Sequence, residues 1–173
     1  MRVVILPSEL EASNFAANII GKYISDKEKA VLGLATGSST VLTYEALIKN
    51  YEQRQISFKS VTTFNLDEYV GLNPEHPQSY RHYMNNKFFD HIDINYKNVF
   101  IPECLDDDYV TSCENYESMI KRHGGIDIQL LGIGTNGHIG FNEPTSSLNS
   151  RTRVKTLTQN TIENNSRFFK DNE

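Results

Sequence analysis

Apolar residues along the chain fall into two kinds of run, short β-rich ones and longer ones at helical spacing, and the two alternate. "RVVIL" (2–6) reads as a first strand closed by Pro7. The stretch 8–25 then places Leu10, Phe15, Ala16, Ile19, Ile20 and Tyr23 at helical intervals, with Ser8 as the predicted N-cap. Further strands are predicted at "KAVLGLA" (29–35), "SVTTFNL" (60–66), "NVFIP" (98–102) and "IDIQLLGIG" (126–134). Helices are predicted over 41–50, 79–89 and 106–125, the last with acids at its start and Lys121 and Arg122 at its end, as the helix dipole favours. "RTRVKTLT" (151–158) reads as another strand and "QNTIENNSRFF" (159–169) as the start of a last helix.

Nearly continuous apolar strands separated by helices predict an α/β fold with a mainly parallel sheet and helices on both faces, a Rossmann-like three-layer arrangement. In such sheets ligands bind beyond the carboxyl ends of the strands. The unusual residues fall there. "ATGSST", "NLDEYVG" and "GIGTNGHIGFNE" each follow a predicted strand directly, so the three loops are expected to meet at one edge of the sheet.

Composition narrows the partners. A chain of 173 residues with 38% hydrophobic residues suits one domain, 1–173. A net charge of −5 with scattered basic residues offers no field for nucleic acid. No apolar run approaches a membrane span, and the short one at the start is no secretory signal. Cys104 and Cys113, the only cysteines, form no framework, which fits a reducing cytoplasm.

The three loops carry the chemistry. Thr36, Gly37, Ser38, Ser39 and Thr40 combine a glycine turn, hydroxyls and a helix start, the ingredients of a phosphate cradle and equally of a capped strand–helix turn. Asp67 follows its strand and reads as a general base aimed into the cleft with Glu68 turned away, or both read as solvated loop acids. In the third loop Asn136, His138 and Glu143 lie among Gly132, Gly134, Gly137 and Gly140. Glu143 is near enough in sequence to orient His138, and no second histidine or thiolate stands at metal-ligand spacing, so no metal is expected. Arg167 offers the charged fork a phosphate site uses.

Taken together, "LGLATGSST", "TFNLDEYVGL", "HPQSYRHYMNNKFFDHI", "GIGTNGHIGFNEP" and "SSLNSRTRVKTLT" resemble the glucosamine-6-phosphate deaminase family along the whole chain. The resemblance implies conversion of glucosamine 6-phosphate and water to fructose 6-phosphate and ammonia, with no cofactor. It implies Asp67 as the enolisation base, His138 as the ring-opening group and Glu143 as the carboxylate working with it, and puts Thr36–Thr40 and Arg167 at the phosphate. A homo-oligomer is compatible with it. Asn136 stands where members often carry Asp; an amide bonds but cannot ionise, which leaves more to Glu143. Ser146, Arg153 and Lys155 match positions of an allosteric site found in some members, and no expectation of control follows from these three alone. The resemblance further implies a C-terminal part beyond residue 173 with a phosphate-binding lysine, absent from this sequence. The competing expectations are a truncated sugar-phosphate-binding protein without turnover, and a related sugar-phosphate isomerase or lactonase.

Overall fold

The computed structural model describes residues 1–103 and 108–157. Four parallel strands form one sheet in the order β3-β2-β1-β4: β1 Val31–Leu34, β2 Thr62–Asn65, β3 Val99–Phe100 and β4 Ile128–Gln129. Helices α1 Glu9–Asp26, α2 Val41–Glu52 and α3 Tyr80–Lys87 cover one face, and α4 Tyr109–Arg122 covers the other. Leu32 and Leu34 point to the three-helix side with Tyr44, Leu47, Met84 and Phe88, whereas Val31 and Phe64 point to α4 and Tyr116. That split is the two-residue alternation of a pleated strand, and burial on both faces is why these strands read as unbroken apolar runs.

The helix starts are fixed locally. The Glu11 N–H donates to Ser8 Oγ at 3.2 Å, the His82 N–H to Ser79 Oγ at 2.9 Å, and the Thr111 N–H to the Asp108 carboxylate at 3.1 Å. At the lower edge of the sheet Asp127 takes the Val31 N–H (2.8 Å) and Lys27 Nζ (2.6 Å), which pins the start of β4 to the start of β1.

Several predicted elements change. Residues 2–6 form no strand, and Val3 and Ile5 are 69% and 90% exposed, because no described strand lies alongside to complete their ladder. The strand predicted over 126–134 stops at Gln129; after the Leu130 N–H donates to Gly33 O, the glycines of the next loop turn the chain out of the sheet. Residues 151–157 are likewise not a strand, since Glu117 of α4 takes both the N–H and the hydroxyl of Thr152 at 2.8 Å. Helix α1 is rotated from its predicted face: it buries Ser13, Ala17, Ile20, Gly21 and Ile24 and leaves Leu10, Phe15 and Ile19 exposed. This face lies against α2 and the residues after it: a Cβ at Gly21 would stand in van der Waals contact with Ile56 at 3.6 Å and Asn50 at 3.8 Å. The predicted helix over 159–169 and Arg167 lie outside the described residues. Among the described residues, no helix is long and apolar enough to cross a membrane.

Candidate active site

The loops after β1, β2 and β4 meet. A Cβ placed on Gly132 would lie 2.9 Å from Ser39 Oγ, and one on Gly140 would lie 2.6 Å from Leu66 and 2.7 Å from Asp67 Oδ2. The third loop is therefore in contact with both of the others.

Its own shape comes from a pair of closed turns. The Gly134 N–H donates to His138 O, the Gly137 N–H to Gly134 O, and Ile139 and Asn142 exchange backbone bonds. Two glycines are dictated by space as much as by conformation. At Gly134 a Cβ would stand 2.1 Å from the His138 ring, and at Gly140, with φ +56°, it would displace the Asp67 carboxylate. Glycine here is the room in which His138 and Asp67 sit.

Within the loop, Asn136 joins the other two polar side chains. Its Oδ1 lies 2.6 Å from His138 Nδ1 and also accepts the His138 N–H at 3.1 Å, while its Nδ2 donates to Glu143 Oε2 at 3.0 Å. An amide oxygen only accepts, so Nδ1 carries the hydrogen and Nε2 of the neutral ring is left with its lone pair for a ligand. The sequence suggested that Glu143 orients His138 and that Asn136 beside it bonds without ionising; the structure joins the two, running the link from Glu143 to His138 through Asn136.

Asp67 is half-buried to buried at the end of β2, and its pKa is pushed up to about 7. Burial is the main cause and the Glu68 charge adds to it, while the Phe141 N–H acts in the opposite sense. Such a carboxylate is a stronger base than an exposed one and is still largely ionised slightly above neutrality. The rings of Tyr69, Tyr80 and Phe141 pack on one another over this corner, with centroids 4.9 to 6.0 Å apart. That aromatic wall was not anticipated, although Tyr69 beside the two acids was a sign against a wholly solvated loop. Glu68 is not solvated either: its carboxylate accepts three backbone N–H groups, from Tyr69, Tyr80 and Arg81, each at 2.9 Å.

In the first loop Gly37 (φ +118°) has a carbonyl that accepts from the Thr40 N–H (3.2 Å), the Thr40 hydroxyl (2.9 Å) and the Tyr83 hydroxyl (3.1 Å). In a trans peptide the following N–H points opposite to that carbonyl, so the Ser38 N–H is turned away from these donors. Ser38 and Ser39 are exposed, and the turn runs directly into α2, an arrangement suited to an anion. Thr40 differs from its neighbours: at 2% exposure, with its hydroxyl given to Gly37 O, it closes the turn instead of facing a ligand. The Tyr80 hydroxyl bonds both Thr36 and Tyr69, linking this loop to the wall beside Asp67.

A cavity of about 690 Å³ opens on the α4 side of the loops, lined by Asp67, Glu68, Tyr69, Phe141, Glu143 and Arg153 among others. It takes in neither His138 nor the 36–40 loop. Arg153 also donates to Asn142 Oδ1 at 2.9 Å, which ties the segment after the third loop to the residue beside Glu143.

Known proteins similar to this chain over its whole length include glucosamine-6-phosphate deaminases. The glucosamine-6-phosphate deaminase of Shewanella halifaxensis is 56% identical over 173 residues, which are 100% of this chain and 66% of that protein. The one from Thermoanaerobacter pseudethanolicus is 51% identical, with 68% of its length covered. The chain thus spans about two thirds of the length of these relatives. Among solved structures, a monomeric glucosamine-6-phosphate deaminase superposes with a TM-score of 0.94 at 47% identity, over 98% of this chain and 70% of that one. The 6-phosphogluconolactonase of Thermotoga maritima shares the fold at a TM-score of 0.61 and 22% identity, over 74% of this chain and 58% of that one. Residues 9–165 match the family described as glucosamine-6-phosphate isomerases/6-phosphogluconolactonase, and the chain belongs to that family.

Proposed function

We propose that this chain carries the proton-transfer groups for converting glucosamine 6-phosphate and water to fructose 6-phosphate and ammonia, a step of amino-sugar breakdown in the cytoplasm. The observation that carries the reading is a carboxylate raised to about 7, in contact with a loop that presents a tautomer-fixed histidine. An aldose-to-ketose shift needs one base at carbon and one acid/base at oxygen, held on the same sugar.

In this reading His138 Nε2 exchanges a proton with the ring oxygen and opens the sugar to its aldehyde. Asn136 and Glu143 keep the ring nitrogen pair in the required state. Asp67 takes the proton from C2, forming an enolamine, and returns it to C1. The product is an imine at C2, and water adds to it and expels ammonia, leaving the ketose. The Ser38 and Ser39 side of the first loop, with Thr36, Gly37 and Arg167, holds the phosphate remote from the reacting carbons, where binding contributes orientation. Every proton moved in this sequence has a donor and acceptor among the protein's own groups or water, so no cofactor enters.

Ammonia release from glucosamine 6-phosphate by the purified 173-residue chain tests the proposal, with Asp67→Asn as the blank. Turnover that disappears in the variant supports it. A folded chain that binds the sugar phosphate without releasing ammonia is a binding protein, and the proposal falls.

A further inference from the structure

We propose that Glu68 is a positioning residue for Asp67: it fastens the loop after β2 to the start of α3, holding the Asp67 carboxylate in the cleft and keeping a negative charge beside it. The inference deepens the reading of Asp67 as the enolisation base and rests on it.

Helix α3 does not need Glu68 as an N-cap, because Ser79 already fills that place by accepting the His82 N–H. Glu68 nonetheless reaches across from another loop and takes the two N–H groups that remain in the first turn, those of Tyr80 and Arg81, as well as the N–H of Tyr69 in its own loop. One carboxylate thus spends three acceptor sites on backbone alone, and the 66–69 loop cannot move without freeing the first N–H groups of α3. The same helix is tied to the first loop through the Tyr83 hydroxyl on Gly37 O. α3 is in this way a bracket between the anion-binding loop and the base, with Glu68 as its attachment on the Asp67 side.

The groups that face Asp67 are Glu68 and Tyr69 from its own loop, Tyr80 from α3, Tyr116 from α4 and the Phe141 N–H from the third loop. The three tyrosines are all pushed above their ordinary range by burial and stay neutral, and Arg81 of α3 acts on Tyr116. Glu68 is therefore the anion in this set. Removing its charge lowers the proton affinity of Asp67; a residue that merely braced the fold would leave that affinity unchanged.

The test reads ionisation and needs no turnover. The carbon-13 signal of the Asp67 side-chain carboxyl, identified by its loss in Asp67→Asn, is titrated in the wild type and in Glu68→Gln. The glutamine keeps one oxygen but turns an amide toward the Arg81 N–H. The expected result is a midpoint at least about half a pH unit lower in Glu68→Gln. An unchanged or higher midpoint in a folded variant overturns the proposal. If the variant does not fold, hydrogen exchange in the wild type decides. Exchange at both Tyr80 and Arg81 that is slow relative to an unprotected amide supports the role, since no helix carbonyl can protect these first-turn N–H groups, and exchange at the rate of an open loop overturns it. In ammonia release, Glu68→Gln is expected to lower kcat about tenfold with KM changed less than threefold. A chain that releases no ammonia yet shows the shifted midpoint would sink the proposed reaction and leave the role of Glu68 standing.

Discussion

Replacing Asp67 with Asn removes a charge that the folded protein holds at a cost. The carboxyl has an ordinary pKa of 3.8 and one of about 7 in the fold, chiefly through burial and secondly through Glu68. Because the folded value is the higher one, the native state binds the proton more tightly than the unfolded chain. Stability therefore falls as pH rises from about 4 to about 7, and the whole penalty is present above 7. At 1.36 kcal/mol per pH unit the gap corresponds to about 4 kcal/mol. Relaxation of the loop and water entry cut this down, and an Asn Nδ2 facing Glu68 or the aromatic wall recovers only part of its solvation, so about 2 kcal/mol is the working figure. The assay is urea unfolding of the wild type and Asp67→Asn at pH 5 and pH 8.5. Part of the penalty is already present at pH 5, so the variant is expected to gain about 1 kcal/mol relative to wild type between the two pH values, about 2–4 °C in Tm for a chain of this size. An advantage equal at both pH values, or none at either, would refute the claim that Asp67 is ionised against its surroundings. The same substitution abolishes ammonia release in the proposed reaction, so stability and activity move in opposite directions at one atom, as expected where a site stores unfavourable electrostatics.

Two further outcomes follow from the geometry. Gly134→Ala puts a methyl group 2.1 Å from the His138 ring and is expected to lower kcat at least tenfold; wild-type turnover in that variant would remove His138 from the mechanism as placed. Asp127→Ala strands the Val31 N–H and frees Lys27, and is expected to cost about 2 kcal/mol in denaturant unfolding. Asp127 is held below its ordinary pKa despite some desolvation, through Lys27 and the Val31 N–H. Its contribution is accordingly present at neutral pH and lost as pH falls through that lowered value, a loss the alanine variant should not show.

The alternation of strand and helix, the Ser8 cap and the placing of three unusual loops after strands were all legible from the order of residues, because they depend on local spacing and on the handed geometry of parallel sheets. The glycines of "GIGTNGHIG" also announced a tight loop, since few other residues enter such turns. What those glycines make room for was not legible. Gly134 faces a ring four residues on, but Gly140 faces a carboxylate 73 positions earlier, and only the packed sheet brings Asp67 there. The face of α1, the missing ladder for residues 2–6 and the attachment of residue 152 to α4 were likewise decided by neighbours distant in sequence. Asp67 and Glu68 make the point most sharply. As adjacent acids on a loop they differ in sequence only by their order after the strand, which pointed to Asp67 as the inward one and left two solvated acids as the alternative. The fold gives one of them three N–H donors and the other an apolar corner, and that difference in solvation makes one an anchor and the other a base.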